Sequence, residues 1–296
     1  MKYLVTGSSG LIGVQLVSDL IQSGKTVYSC YHTKKPQNGI STQLDLLNFN
    51  EISTIFQKIK PDVIIHLAAQ TDVEKCELDS DLALSVNAKS SEIIAKESKK
   101  LGSYLIYLST DYVFDGKKGM YHESDLPNPI NQYGRTKFSG EKNIELFASK
   151  WSILRTSTPF GFHSTKKTFP IWLLENIQNK KEFNALVDQF TSPTYVPNLS
   201  KMILEISSKK LEGIFHLAGS TRISRYEFGK KILKKLHIDN SLLNPVKTTS
   251  IQWNATRPSD SSLDVTKATS ILTTKPFSIE ESLIDYIPEL KNSFSL

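Results

Sequence analysis

Cysteine is scarce in this chain: Cys30 and Cys76 are the only two in 296 residues. They stand far apart, with no C-x-x-C pair and no Cys/His spacing of the kind that holds a metal. No disulfide framework and no metal site are expected, and both residues read as buried thiols. Long apolar runs are also missing, and no stretch approaches the roughly 18 residues that a membrane span requires. The opening Met1-Lys-Tyr-Leu-Val-Thr-Gly7 carries too short an apolar run for a secretory signal, and a glycine turn follows at once. The expectation is a soluble, cytoplasmic chain without a membrane partner. No internal repeat or low-complexity tract stands out.

The net charge is +6, from 36 Lys and Arg against 30 Asp and Glu. The lysines are dispersed in short pairs such as Lys34-Lys35 and Lys230-Lys231. A nucleic-acid binder would gather them on one face, so no nucleic acid is expected. An anionic small substrate or cofactor accounts for the bias equally well.

The first half alternates short apolar runs with amphipathic stretches. Tyr3-Leu4-Val5 reads as a strand, and Ile12, Leu16, Val17, Leu20 and Ile21 recur at helical spacing over 11–21, with Ser23-Gly24 as the stop. Residues 26–31 read as a second strand, 51–59 as a helix before Pro61, and 62–69 as a buried strand running into a loop. Residues 82–101 read as one helix, 104–110 as a buried strand, 130–149 as a helix and 151–156 as a strand. This rhythm predicts an α/β fold, a Rossmann-type doubly wound parallel sheet with ligands at the carboxyl ends of its strands.

Past residue 157 the rhythm loosens, with prolines at 159, 170, 193 and 197. Residues 213–219 read as a short strand between glycines, and Ser224-x-x-Glu227 as a capping box opening a helix to about Leu236. The expected organisation is a dinucleotide domain over 1–157, with returning segments from the second half, and a smaller substrate-binding lobe over mainly 158–296.

Gly7, Gly10 and Gly13 follow a predicted strand and open a predicted helix, the context that makes a glycine pattern informative. The first permits a tight turn, the second lets a pyrophosphate approach, and the third lets helix and strand pack closely. With Ser9 in the turn and Leu11 and Ile12 starting the helix, free N–H groups and a positive dipole end await the phosphates. An acid at the end of the second strand would bind the 2′-hydroxyl of NAD. Here the segment is Tyr28-Ser-Cys-Tyr-His32-Thr-Lys34-Lys35, with no acid. His32 and Lys34 suit a 2′-phosphate, so the cofactor expected is NADPH, with NADH the alternative. Asp45, beside Leu46, is either a bond to the adenine amino group or a turn aspartate.

Tyr133-x-x-x-Lys137 lies on a predicted helix, where residues four apart share a face. The expectation is that the Lys137 ammonium lowers the Tyr133 pKa, so that the phenol serves as a general acid near neutral pH. Thr110 ends a buried strand on the cofactor side, where its hydroxyl can polarise a carbonyl. These three are the candidate catalytic residues.

With these segments in view, the chain resembles the extended short-chain dehydrogenase/reductase superfamily and, within it, the dTDP-4-dehydrorhamnose reductase family. The resemblance rests on Val5–Gly13, Pro61–Ala69, Ser109-Thr-Asp-Tyr-Val-Phe-Asp-Gly116, Pro129–Lys137 with Gly140-Glu141, Leu154–Ser157, Asp188-Gln189, Ser192-Pro-Thr194, Arg257-Pro258 and Leu263-Asp264. It implies an NADPH- or NADH-dependent reduction of the 4-keto group of a nucleotide-linked 6-deoxy sugar. Tyr133 would donate the proton, and Lys137 would hold the cofactor ribose. Thr110, Asp111 and Tyr112 would position the sugar, Ala68 and Ala69 would line the cofactor groove, and Asn87 would brace the sheet edge. Gln189 and Arg257 would contribute to the sugar-nucleotide pocket.

One position departs from the family pattern. A Trp usually follows the Arg-Thr-Ser segment, and here it is Thr158, followed by Pro159 and Phe160, the latter a candidate for the missing ring. Some members bind magnesium at a dimer contact; no matching carboxylate set stands out, so no metal is expected, and a homodimer is compatible. Two other readings stay open: a reductase or epimerase of another nucleotide sugar, and a catalytically silent NADP-binding regulatory subunit resembling the methionine adenosyltransferase beta subunit.

Overall fold

The computed structural model describes residues 1–296. The first half builds six strands: β1 Lys2–Thr6, β2 Thr26–Tyr31, β3 Ile40–Gln43, β4 Val63–His66, β5 Tyr104–Thr110 and β6 Trp151–Thr156. Between them run α1 Leu11–Gln22, α2 Phe49–Ile59, α3 Val73–Leu78, α4 Ser80–Leu84, α5 Ser90–Leu101 and α6 Gln132–Phe147. In the second half, Pro159–Phe160 (β7) pairs with Thr194–Tyr195 (β10). Phe183–Leu186 (β8) will pair with a later strand, as will Phe190–Thr191 (β9), while α7 spans Phe169–Gln178 and α8 Val196–Lys209. Gly213–His216 is β11, Ile223–Ser224 is β12, Leu243–Val246 is β13, and α9 Arg225–Leu236, α10 Thr266–Ile271 and α11 Ile279–Phe294 complete the chain.

The main sheet has seven parallel strands in the order β11-β6-β5-β4-β1-β2-β3. Its central strands are buried on both faces, and β4 and β5 are buried throughout. That is why they read as continuous apolar runs rather than alternating ones. On one face, Leu16, Val17 and Leu20 of α1 pack with Leu199, Met202, Ile203 and Ile206 of α8. On the other, Ile52 and Phe56 of α2, Ile94 of α5 and Ile144 of α6 cover the sheet. Thus α8 and β11, from the second half, return to complete the first unit. The remaining second-half elements form a lobe with its own core of Phe160, Leu173, Leu174, Phe183, Phe228 and Tyr286.

Local chemistry sets the boundaries. Asn48 caps α2, accepting from the Glu51 N–H, so that helix begins at Phe49 rather than 51. Asn131 caps α6 through the Gly134 N–H at 2.8 Å, so it begins at Gln132 rather than 130. The strand expected over 62–69 ends at His66, and the loop that follows carries Ala68 and Ala69. The helix expected over 82–101 is interrupted: Ser85–Lys89 forms a π-helical turn between α4 and α5. The strand β3 and the helix α3 had no sequence expectation; β3 is short and edge-placed, and α3 is held by an Asp72 cap.

Ser224 does cap α9 through the Glu227 N–H, but no reciprocal bond from the Glu227 carboxylate accompanies it. The complete capping box is at Ser278 and Glu281, opening α11. Cys30 and Cys76 are both buried thiols, as expected. No helix is long and apolar enough to cross a membrane.

Candidate functional site

One cleft of about 860 Å³ runs along the carboxyl ends of β1, β2, β4 and β5 and under the second lobe. At one end lies the glycine turn. Gly7 has φ +68°, and a Cβ there would stand 2.8 Å from the Ala68 nitrogen; a Cβ on Gly13 would stand 2.2 Å from the Gly7 oxygen. Both positions therefore require glycine. No side chain caps α1 and no acid occupies its first turn, so the N–H groups at Leu11 and Ile12 face the cleft with the dipole's positive end. The turn fits a dinucleotide pyrophosphate. Ser9, Gly10, His32, Lys34, Leu46, Ala68 and Ala69 line the same cleft. Asp45 lines it too, and its Oδ1 accepts from the Leu47 N–H at 2.9 Å, a turn bond.

Behind the groove, Asn87 holds the loop after β4 through both backbone groups of one residue, Gln70. Its Oδ1 accepts from the Gln70 N–H (2.8 Å), and its Nδ2 donates to the Gln70 oxygen (3.1 Å) and to Thr136 Oγ1 (3.0 Å). The π turn at Ser85–Lys89 delivers this side chain between the loop and α6.

At the carboxyl end of β5, Thr110 Oγ1 donates to Asp111 Oδ1 (3.0 Å) and accepts from the Tyr112 N–H (3.2 Å), and Thr110 and Tyr133 line the same cleft. Tyr133, part-buried in the cleft wall, packs edge-on against Tyr112 at 5.9 Å between ring centres. Burial pushes the Tyr133 pKa above its ordinary value, and the neighbouring Thr110 hydroxyl only partly offsets this. The expected ammonium effect on Tyr133 is thus corrected. Lys137 points elsewhere: its Nζ donates to the Leu108 oxygen at 2.8 Å and lies 3.9 Å from the centre of the Tyr107 ring. Burial brings the Lys137 pKa down to about 7, against the raising effect of the Glu141 carboxylate.

The residues expected to meet a substrate fall into three groups. Thr110, Tyr112, Thr158 and Arg257 line the cleft. Thr158 holds φ +41°, a costly conformation for a β-branched residue, and the chain turns there over the cleft. Asp111 also lines it, but its carboxylate is occupied: Oδ1 by Thr110, and Oδ2 by Ser157 Oγ (2.8 Å) and Ser261 Oγ (2.5 Å). It positions Thr110 rather than offering an open acceptor. Gln189 does not line the cleft; it is buried behind Arg225, whose Nε donates to its Oε1 at 3.4 Å. Arg225, which had no sequence expectation, supplies the charge at that place. Its only sequence signal was its position one residue after the Ser224 cap. Phe160 does not replace the absent tryptophan: it is buried in the second lobe against Tyr195, Phe228 and Tyr286.

The far rim is tied by Glu74 of α3. Its carboxylate accepts from Arg257 Nη2 (3.1 Å) and from the Asn254 N–H (2.9 Å), and these bonds hold its pKa below the usual range against the cost of desolvation. Arg257 stacks on Trp253 at 4.5 Å. No cluster of His, Cys, Asp and Glu able to hold a metal ion is present.

A family model described as the RmlD substrate binding domain matches residues 1–292. The dTDP-4-dehydrorhamnose reductase of Aggregatibacter actinomycetemcomitans is 31% identical over 278 residues, covering 90% of this chain and 91% of the relative. The methionine adenosyltransferase 2 subunit beta of Bos taurus is 30% identical over 274 residues, 90% of this chain and 81% of the relative. Among solved structures, the dTDP-4-dehydrorhamnose reductase of Bacillus anthracis, in complex with NADP, superposes with a TM-score of 0.88. It is 31% identical and covers 97% of this chain and 99% of its own.

Proposed function

The chain belongs to the RmlD substrate binding domain family, and from that footing we propose that it is an NADPH-dependent reductase of a nucleotide-linked 4-keto-6-deoxy sugar, of the dTDP-4-dehydrorhamnose reductase type. One observation carries the reading: the glycine turn, Thr110, Tyr133, Lys137 and the cationic rim of Arg225 and Arg257 all line a single cleft. The cofactor, when bound at the turn, supplies a hydride. The chain supplies the rest. Arg225 and Arg257 hold the anionic nucleotide end of the substrate. Thr110, placed by Asp111 and the Tyr112 N–H, turns its one hydroxyl hydrogen from Asp111 to the keto oxygen when substrate binds. Tyr133, protonated at neutral pH because burial raises its pKa, donates the proton to the developing alkoxide. Lys137, on the same face of α6, holds the cofactor ribose once it swings from the Leu108 oxygen. The test is NADPH oxidation with a panel of nucleotide-linked 4-keto-6-deoxy sugars, followed by absorbance.

A second reading is favoured by the 30% identity to a methionine adenosyltransferase beta subunit. Under it, the chain is a catalytically silent NADP-binding subunit. Tight NADPH binding without turnover on any keto sugar of the panel would select this alternative.

A further inference from the structure

The segment between β7 and α7, residues 161–168, leaves the second lobe and lies across the glycine turn of the first. Its base is closed by Thr168 Oγ1 donating to the Gly161 oxygen at 3.2 Å. Its tip is pinned by His163. The ring Nε2–H donates to the Ser9 oxygen at 3.0 Å, and Nδ1 accepts from the Thr165 and Lys166 N–H groups at 3.1 and 2.9 Å. These bonds use both ring nitrogens in one neutral tautomer. Burial keeps the His163 pKa below its ordinary value, the bond to Ser9 opposes that, and the nearby charges of Lys166 and Lys34 lower it further. Lys34 of the first lobe reaches the strap through Ser164 Oγ and Thr165 Oγ1, beside His163, and Lys166 follows it in the strap.

The partners of these cations are informative. Lys167 is ion-paired with Glu175 at 2.6 Å. Lys34 bonds only to hydroxyls of the strap, Ser164 Oγ at 2.9 Å and Thr165 Oγ1 at 3.5 Å, and neither it nor Lys166 has a carboxylate partner. Both residues line the cleft, and the segment that follows β2, His32-Thr-Lys34-Lys35, carries no acid. Two unpaired cations facing one wall of a cleft repel each other unless an anion lies between them.

We propose that Lys166 of the strap and Lys34 after β2 form a clamp for the 2′-phosphate of the dinucleotide, with His163 as the positioning residue that holds the strap in place. The sequence assigned cofactor choice to the end of β2 alone; the clamp places half of it in the other lobe. It also ties cofactor binding to lobe position, because the phosphate is held from both sides. The inference rests on the reading of the chain as an NADPH binder.

The test is calorimetric affinity of the full chain for NADPH and for NADH, in wild type, Lys34→Met, Lys166→Met, the double variant and His163→Gln. Lys34 and Lys166 are exposed, so their substitution leaves the fold intact. Each single lysine variant is expected to bind NADPH about ten-fold more weakly, the loss of one hydrogen bond to a charged group, with NADH affinity unchanged. The double variant is expected to bind the two cofactors equally. His163→Gln is expected to weaken both cofactors and to erase the extra effect of Lys166→Met. If Lys34→Met loses NADPH preference while Lys166→Met keeps it in full, the clamp is wrong and the NADPH reading stands. If the wild type itself binds NADH as tightly as NADPH, both fall.

Discussion

The Lys137 ammonium donates to the Leu108 carbonyl oxygen of β5 at 2.8 Å and not to the Tyr133 phenol, with which it shares a helix face. Shared face and shared contact are different things: the spacing aligns the two residues along α6, and the end of β5 decides where the lysine points. Burial raises the Tyr133 pKa, and the neighbouring Thr110 hydroxyl only partly offsets it. The phenol thus stays protonated, which suits an acid that delivers a proton in a reduction. Tyr133→Phe is expected to lower kcat by about 10²- to 10⁴-fold, the usual worth of a positioned acid, while NADPH affinity changes by less than about two-fold. Steady-state kinetics with parallel calorimetry checks this; near-normal turnover in the variant would falsify the role.

Asp111 gives a second expectation. Its carboxylate gathers hydroxyls from three segments: Thr110 on β5, Ser157 after β6 and Ser261 near the chain's end. Asp111→Ala strips the hydrogen-bond acceptor from all three, leaving buried hydroxyls unpaired at about 1–3 kcal/mol each. Both the urea midpoint and kcat should fall, and Thr110→Val should lower kcat with a smaller loss of stability. A variant at 111 with wild-type stability would show that these bonds do not hold the site.

Much of this arrangement was legible in the sequence, and the reasons it stopped being legible are physical. The glycine turn, β2, β5 and β6 are set by local chemistry and burial period, and they stand where the pattern put them. The π turn at 85–89, Ser-Val-Asn-Ala-Lys, is invisible to a helical period because nothing in those residues marks the extra one, which is fixed by what Asn87 must reach. The direction of Lys137, the occupied carboxylate of Asp111 and the burial of Gln189 depend on partners distant in the chain. Arg225 went unseen because nothing in Ser224-Arg-Tyr-Glu227 distinguishes a helix-face arginine from a cleft arginine until the second lobe folds over β5.

Arg155 of β6 and Glu141 of α6 form a fork-to-fork pair, at 3.0 and 2.7 Å, in which both side chains are almost wholly buried. The pair fastens the helix that carries Tyr133 and Lys137 to the sheet. Removing one partner strands the other charge inside, so Glu141→Ala is expected to cost about 3–5 kcal/mol in chemical denaturation. Because Glu141 raises the Lys137 pKa, Glu141→Gln should move the lysine's titration below about 7. A stability loss under 1 kcal/mol, on the scale of an exposed pair, would contradict the burial of this contact.

Acid stability follows from two buried imidazoles. His66, between Thr6 and Ser91, is held down to about 3 by burial, with the Lys137 charge adding to it; His216 is likewise held at about 3 by burial, then by the Arg155 charge. Both folded values lie below the unfolded value of about 6.5. As pH falls through 6.5 the unfolded chain takes up protons that the folded chain refuses, so the contribution of these two histidines is full above that pH and declines toward 3. Each histidine contributes about 1.4 kcal/mol per pH unit in this window. Carboxylates add only further down; Glu205, for example, is held near 2 by its bonds to Lys209 and to the Thr273 and Thr274 N–H groups, which outweigh its desolvation. Between about pH 6 and 5 the decline therefore belongs to the histidines. Urea unfolding across this range should show it in the wild type, and His66→Gln should remove about half of the slope that the two buried imidazoles supply, while lowering stability at pH 8, because Thr6 and Ser91 lose their partner. An unchanged slope in the variant would mean that His66 takes up its proton in the folded protein, and that the Thr6–His66–Ser91 chain beneath the cofactor groove opens in acid.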